Sequence, residues 1–170
     1  MQAGDDMRKG ETVLPRGKRL QAADLGVLAA VGKIRIPVYR PWRVHILSTG
    51  DEIVDPRETL EAGRMRDVNS YTLSGLAQAY GFEISFELLP DDEETLQRRM
   101  RKAMCLCDLV VVSGGSSQGK KDATAKVIGN LASSGVLTHG IAIKPGKPTI
   151  LGFDEPTRCA LIGLPGHPVA

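Results

Sequence analysis

Residues 108–122, DLVVVSGGSSQGKKD, carry an apolar strand-like run into small residues, two lysines and an aspartate. Gly114, Gly119 and Lys120 satisfy most of the phosphate-loop pattern G-x-x-x-x-G-K-[ST]. The last position is Lys121, whose ammonium group has no lone pair for Mg²⁺ and repels it. The segment is therefore either a nucleotide loop without its hydroxyl or a different anion site, and a solvated helix entry explains the lysines equally well.

Further carboxylates, lysines and prolines follow the other predicted strands. These segments are STGDE (48–52), LPDD (89–92), KPGKP (144–148) and GLPGHP (163–168). In parallel α/β sheets, ligands bind outside the carboxyl ends of the strands. Carboxylates near a phosphate site suit Mg²⁺, and two lysines on a proline-stiffened loop suit an oxyanion. Taken singly, each segment also has a structural explanation as a turn, a helix N-cap or a partner of a helix dipole, and Asp122 could be the N-cap of the next helix.

Strand and helix patterns alternate from residue 42 onwards. The predicted strands are RVHILS, FEISFELL, DLVVVS and three short strands near residues 139–143, 149–152 and 159–163. The predicted helices are Asn69 to Ala79, with Asn69 as N-cap and Gly81 as the stop, then PDDEETLQRRMRKAMCLC and ATAKVIGNLAS. This alternation predicts an α/β fold, a three-layer α/β/α sandwich with a mostly parallel sheet.

Residues 1–41 have a different pattern from the rest. ETVLPRGKRL predicts a short strand and turn, QAADLGVLAAVG a short helix, and KIRIPVYRP a strand closed by Pro41. We therefore expect two parts: residues 1–41 as the C-terminal part of a preceding β-rich domain, and residues 42–170 as the α/β domain.

Composition excludes several classes of protein. The 170 residues are 42% hydrophobic and 25% charged with a net charge of +2, which is typical of a globular protein without a strong field for nucleic acid. Without a long apolar run or a signal peptide, a cytoplasmic location away from membranes is expected. The three cysteines and three histidines lack metal-site spacing, and no serine lies in a nucleophile elbow.

Several short motifs occur together in one order: STGDE, GRMRDVNSYTL, LPDD, DLVVVSGGSSQGKKD, KPGKP and GLPGHPVA. In that order and spacing they resemble the molybdenum-cofactor biosynthesis proteins of the MoeA and gephyrin E-domain type, from Trp42 to Ala170. The resemblance implies that the near P-loop is coincidental and that its glycines belong to the S-G-G loop of the family's molybdopterin-binding domain.

The resemblance implies a molybdenumtransferase that inserts molybdate into adenylated molybdopterin and releases AMP, assisted by Mg²⁺. It also implies a MogA-like adenylyltransferase as partner, a homodimer, and no nucleic acid or membrane. The implied catalytic residues are Asp122, Asp91 and Lys147. The implied ligand-binding residues are Thr49, Gly50, Asn69, Ser113, Gly114, Gly115, Ser117, Gly119, Lys144, Pro145, Gly146 and Pro148. The implied metal ligands are Asp51, Glu52 and Asp122.

Three residues depart from the pattern of the family. Lys120 and Lys121 stand where an acid and a tyrosine or small residue are common, and His167 stands where asparagine is usual. Because a lysine in place of an acid disfavours Mg²⁺ and favours anions, a non-catalytic molybdopterin- or oxyanion-binding module is the alternative function. A domain of the competence-damage type and a P-loop NTPase rank lower.

Overall fold

A computed structural model describes residues 6–114 and 121–166, with the backbone but not the side chains of Lys121 and Asp122. The chain forms two compact units, Met1–Arg40 and Pro41–Ala170. The first unit contains helix α1 (Ala22–Ala30), which was predicted. The carboxylate of Asp24 accepts the Gln21 amide at 2.9 Å and the Lys18 ammonium at 2.6 Å, fixing the start of this helix.

Neither strand predicted before residue 42 forms within residues 6–40. In KIRIPVYRP the alternating apolar side chains are exposed, Ile34 by 92% and Val38 by 69%. A period-two pattern becomes a strand only when a neighbouring strand accepts its backbone hydrogen bonds. The two strand predictions are therefore wrong for the described residues.

The second unit is built on one six-stranded sheet. Its strands are β1 (Arg43–Thr49), β4 (Glu83–Leu89), β5 (Leu109–Gly114), β6 (Val136–His139), β7 (Ile150–Asp154) and β8 (Cys159–Leu164). Across the sheet the strands lie in the order β4-β1-β5-β8-β7-β6. Strands β4, β1, β5 and β8 run parallel, while β7 is antiparallel to both β8 and β6. The mostly parallel sheet is confirmed.

Helices cover both faces of this sheet. They are α2 (Asn69–Ala79), α3 (Glu93–Met104) and α4 (Lys121–Leu131). Leu47 and Val112 pack in one core with side chains of α3 and α4, whereas Ile46 and Val111 face the other way, where Leu73 of α2 packs. Side chains alternate between the faces along each strand, so both layers of helices are buried against one sheet. This is the predicted three-layer α/β/α sandwich.

Two details of the sheet differ from the prediction. Strand β6 ends at His139 rather than beginning there, because Gly140 adopts φ +97° and its amide pairs with the carbonyl of Thr149. A separate two-stranded sheet, β2 (Ile53–Val54) and β3 (Met65–Arg66), was not predicted. Strands of two residues are too short to produce an alternating pattern.

The three cysteines are free thiols in different environments. Burial raises the pKa of Cys159 to about 12, and Cys105 is exposed. Since the thiolate is the reactive form, a thiol reagent near pH 8 should modify Cys105 first and Cys159 only after unfolding. Peptide mapping of a labelling time course tests this, with Cys105→Ser as control. Rapid native-state labelling of Cys159 would contradict the buried position.

Among the described residues, none of the helices has the length and apolar character that crossing a bilayer requires.

Candidate functional site

The predicted chemistry-bearing segments leave the sheet at one edge, here called the rim. It comprises the end of β5, the described residues that follow β1, β4 and β8, and loop 140–149 between β6 and β7. Thr49 pairs in register with Leu89 and Gly114, and Ser113 pairs with Leu164, so the four parallel strands end level. Because β6 is antiparallel to β7, which is antiparallel to β8, the loop after β6 emerges at the same edge.

The ends of β1 and β5 make an unusually close approach at Thr49 and Gly114. A Cβ built on Gly114 would lie well inside 3.0 Å of both the hydroxyl and the carbonyl oxygen of Thr49. Thr49 is itself 6% exposed. Only glycine fits here, so the backbone of the β5 exit can lie directly against the β1 exit. Both were predicted ligand-binding residues, and the structure places them in contact.

Asn69 connects two exits of the sheet. Its Nδ2 donates to the hydroxyl of Ser113 at 2.7 Å and to the carbonyl of Gly166, after β8, at 2.8 Å. Asn69 is the first residue of α2, and Val68 occupies the N-cap position. The predicted N-cap role of Asn69 is therefore wrong, because its amide is engaged across the rim rather than with its own helix.

The residue that holds the start of α2 is Asp67, which the sequence analysis did not single out. Its Oδ1 accepts the backbone amide of Ser70 at 3.1 Å and the hydroxyl of Ser48 at 3.3 Å. An aspartate three residues before a helical amide is a capping signal that could have identified it. Asp67 therefore joins the end of β1 to the first turn of α2.

The exits of β1 and β4 are tied together through Asp51. One oxygen of its carboxylate accepts the backbone amide of Asp91 at 3.0 Å, and its carbonyl accepts from the guanidinium of Arg64. The carboxyl carbon of Glu52 lies 3.3 Å from the position that a Cβ atom on Gly50 would occupy. Three predicted acids, Asp51, Glu52 and Asp91, are thus gathered in one part of the rim.

A cavity of about 520 Å³ opens beside these acids. Its charged lining residues are Asp51, Asp55, Glu58, Glu61 and Arg64. A smaller cavity of about 40 Å³ is lined by Thr49, Asp91 and, from the first turn of α4, Ala123 and Thr124. The start of α4 therefore lies beside the β1 and β4 exits.

Asp92 has a structural role as the N-cap of α3. Its carboxylate accepts the amide of Thr95 at 2.7 Å and caps α3. The hydrogen bonds from Thr95 hold the pKa of Asp92 below its usual value. Glu93 and Glu94 lie in the first turn of α3, and Arg101 and Lys102 lie in the last turn, an arrangement that interacts favourably with the helix dipole.

The loop that carries Lys144 and Lys147 is fixed by its own backbone. Thr149 donates its hydroxyl to the carbonyl of Gly146 at 2.8 Å, and the amide of Ile141 donates to the carbonyl of Lys147 at 2.8 Å. Gly146 adopts φ +101°, the left-handed region that favours glycine. Both lysines are exposed, so the loop presents two cations on a defined support.

The same loop reaches the β5 exit. Pro148 and Gly114 line one cavity of about 20 Å³ together with Thr124 and Pro165. Pro145, which follows a cis peptide bond, is exposed. Of the predicted residues in this loop, Pro148 therefore lies beside Gly114, while Lys144 and Lys147 lie at the surface.

Part of the predicted site lies outside the described residues: Gly115, Ser117, Gly119, Lys120 and His167. The side chain of Asp122 is also undescribed, but its backbone is the second residue of α4. The alternative interpretation of Asp122 as an N-cap is therefore wrong. An acid in the first turn still interacts favourably with the helix dipole.

The donor set at the rim fits the chemistry of Mg²⁺. Asp51 and Glu52 supply hard carboxylate oxygens, and Mg²⁺ takes one or two such ligands while retaining waters and substrate oxygens. In the part of the chain that the structure describes, no group of three or more His, Cys, Asp or Glu side chains could hold a metal ion.

A serine, a histidine and a glutamate also come together away from the rim, which the sequence analysis did not predict. His45 Nδ1 lies 2.7 Å from the Ser85 hydroxyl, and its Nε2 lies 3.2 Å from Glu87, which Arg99 approaches at 3.5 Å. Register explains the contact, because His45 pairs with Ser85 on neighbouring strands. The three side chains line a groove of about 620 Å³ beside α3.

Comparison with known proteins identifies the family. The family described as "Probable molybdopterin binding domain" matches residues 45–170. The chain is 38% identical over 168 residues to the molybdopterin molybdenumtransferase of Haemophilus influenzae, covering 98% of this chain and 41% of that protein. It is 33% identical to the corresponding protein of Synechocystis, covering 97% and 42%.

A solved structure agrees with these matches. The molybdopterin biosynthesis MoeA protein of Pyrococcus horikosii superposes with a TM-score of 0.79 at 39% identity, over 96% of this chain and 40% of that one. The chain thus spans about two-fifths of the length of the relatives it matches. On this evidence the chain belongs to the family of probable molybdopterin-binding domains, and its relatives include MoeA proteins, as the sequence resemblance predicted.

Proposed function

We propose that the complete protein inserts molybdate into adenylated molybdopterin and releases AMP, with this chain supplying the face that binds the pterin phosphates. The observation that carries the proposal is the convergence of the β1, β4, β5 and β8 exits with loop 140–149 at one rim. Helix starts and glycine-rich turns at such an edge present backbone amides to anions. The names of the relatives support the same substrate class.

Binding of the ligand phosphates is assigned to the β5 exit and its neighbours. Gly114 and Thr49 let the backbone come close, and Asn69 fixes Ser113 beside them. We assign the same role to Gly50, Gly115, Ser117 and Gly119, together with the loop residues Lys144, Pro145, Gly146 and Pro148. The two lysines supply positive charge for the phosphates and for molybdate.

Catalysis is assigned to Asp122, Asp91 and Lys147. Breaking a phosphoanhydride requires charge neutralisation and an oriented attacking oxygen more than covalent participation by the protein. Lys147 neutralises charge on the leaving AMP, and an oxygen of bound molybdate attacks the pterin phosphorus, so that the new P–O bond replaces the anhydride bond and AMP leaves with the bridging oxygen. Asp122 and Asp91 orient the reacting groups from neighbouring exits, since the first turn of α4 and Asp91 line one small cavity.

Mg²⁺ is the expected metal, held by Asp51 and Glu52 with Asp122. When bound, it would neutralise charge on the phosphate oxygens. Asp51 already has one oxygen engaged with the amide of Asp91, which orients its carboxylate toward the β4 exit.

Other parts of the proposal concern the complete protein. We propose that it is a cytoplasmic homodimer that receives its substrate from a MogA-like adenylyltransferase, without nucleic acid or membrane as partners. The relatives' greater length leaves room for the dimerising parts, because the chain covers 41% of the Haemophilus protein.

The contribution of the loop can be measured with Lys147→Ala. Losing one charged hydrogen-bond donor should raise the Kd for adenylated molybdopterin by about tenfold, roughly 1.4 kcal/mol. Calorimetric titration measures the Kd. Lys102→Ala is the control, because Lys102 lies in the last turn of α3, at the end of the helix away from the β4 exit. Equal affinities for the wild type and Lys147→Ala would remove Lys147 from the site.

A second function remains, because Lys120 stands where the family commonly has an acid, and a lysine in place of an acid disfavours Mg²⁺ and favours anions. In that case the rim binds molybdopterin or an oxyanion without turnover, as a sensor or carrier. Measuring AMP release by the complete protein separates the two functions. Molybdate-dependent release supports the transferase, and tight binding without release supports the carrier.

A further inference from the structure

Asp67 is a buried carboxylate with an uncompensated oxygen. It is 4% exposed, and its Oδ2 is buried with no hydrogen-bond partner among the described residues. Leaving a buried acceptor unsatisfied costs about 1–3 kcal/mol, and more when the group is charged. Its other oxygen makes two bonds, to Ser70 and Ser48. The two hydrogen bonds of Oδ1, which hold Ser70 and Ser48 in place, must therefore offset the cost of the unpaired Oδ2.

The bonds of Asp67 lead directly to the rim. Ser48 is the penultimate residue of β1, and Ser70 follows Asn69 in the first turn of α2. From that turn the Asn69 amide reaches Ser113 on β5 and Gly166 after β8. The two sets of hydrogen bonds, linked through the peptide bond between Asn69 and Ser70, thus join the exits of β1, β5 and β8.

We propose that Asp67 is a positioning residue for the rim: it orients Asn69, and through Asn69 it keeps the β5 exit and the segment after β8 at the spacing that the pterin phosphates require. The inference rests on the proposed function only for the identity of the ligand. Asp67 does not contact the ligand, because its carboxylate is buried.

Asp154 provides a matched control for this inference. It is also buried, at 6% exposure, and it also accepts a backbone amide and a hydroxyl, from Thr157 at 3.2 and 2.6 Å. It ends β7, opposite the start of β8 at Cys159, and so lies at the edge of the sheet away from the rim. Replacing either aspartate by alanine removes the same kinds of bonds, but only Asp67 leads to the rim.

The first test needs no ligand. The chain has two asparagines, Asn69 and Asn130, so selective ¹⁵N-asparagine labelling gives two pairs of side-chain amide signals. In Asp67→Ala the Asn69 signals should move toward free-amide positions and exchange faster with solvent, while those of exposed Asn130 stay unchanged. Asp154→Ala should leave both pairs unchanged. Unaltered Asn69 signals in folded Asp67→Ala would overturn the inference.

The second test uses AMP release by the complete protein at a temperature where every variant is folded. Asp67→Ala should lower kcat/KM by at least about tenfold, and Asp67→Asn, which keeps the Oδ1 acceptor, should remain within about threefold of wild type. Asp154→Ala should remain within about twofold. Equal activities of Asp67→Ala and Asp154→Ala would overturn the positioning role.

A double-mutant cycle shows whether the effect passes through Asn69. With Asn69→Ala already present, adding Asp67→Ala should change kcat/KM by less than about twofold, because residues in one network are not additive. A full tenfold loss in that background would overturn the inference. If the wild type releases no AMP, the proposed function fails and the labelling experiment alone decides the role of Asp67.

Discussion

Gly114→Ala should lose both stability and ligand binding. The added methyl group would lie well inside 3.0 Å of the Thr49 hydroxyl and carbonyl, both part of a buried β1 exit. Overpacking of this kind costs about 1–3 kcal/mol, and the displaced β5 exit would no longer present its amides to the ligand. Chemical denaturation measures the free energy of unfolding, and AMP release by the complete protein measures the effect on the site.

Gly75→Ala is the control for this prediction. Gly75 lies inside α2, and a Cβ there meets nothing within 4 Å. Alanine in an exposed helix interior is favoured over glycine by about 0.8–1.0 kcal/mol, so Gly75→Ala should stabilise the protein and leave AMP release unchanged. A Gly114→Ala variant as stable and active as wild type would show that the approach to Thr49 is not required.

Asp122→Asn should reduce AMP release at least about tenfold, equivalent to roughly 1.4 kcal/mol in the activation barrier. The substitution keeps the size of the side chain and removes the charge that the proposed site uses. Since Asp122 is the second residue of α4, the loss of a favourable helix-dipole interaction should lower stability by no more than about 1 kcal/mol.

The matched control is Asp108→Asn, at the other end of β5. The Asp108 carboxylate accepts the amide of Arg43 at 2.8 Å, a bond that asparagine can also accept. Asp108→Asn should therefore leave AMP release within about twofold of wild type. If Asp122→Asn retains full turnover, Asp122 serves the helix and not the reaction.

The sequence predicted the elements whose patterns are local. The run LVVVS predicts β5, and Gly81 predicts the end of α2, because strand periodicity and helix stops are properties of neighbouring residues. Placement of the charged segments at one edge followed from the parallel sheet, since the carboxyl ends of its strands meet there.

Features that depend on contacts distant in sequence were not predictable. The hydrogen bond from Asn69 to Gly166 spans 97 residues. No local pattern distinguishes an asparagine that makes such a bond from an asparagine at a helix N-cap. His45 and Ser85 come together only because β4 pairs with β1 in one register. KIRIPVYRP has the alternation of a strand but no partner strand in the described residues, so propensity alone gave a wrong prediction.

The central claim is that this rim belongs to a transferase, and the most direct test is AMP release from adenylated molybdopterin by the complete protein in Mg²⁺, with and without molybdate. Release that depends on molybdate is the predicted result, and it would make the lysines at 120 and 121 an accommodated variation. Tight binding of adenylated molybdopterin without release would contradict the claim and make the protein a carrier or sensor of the pterin.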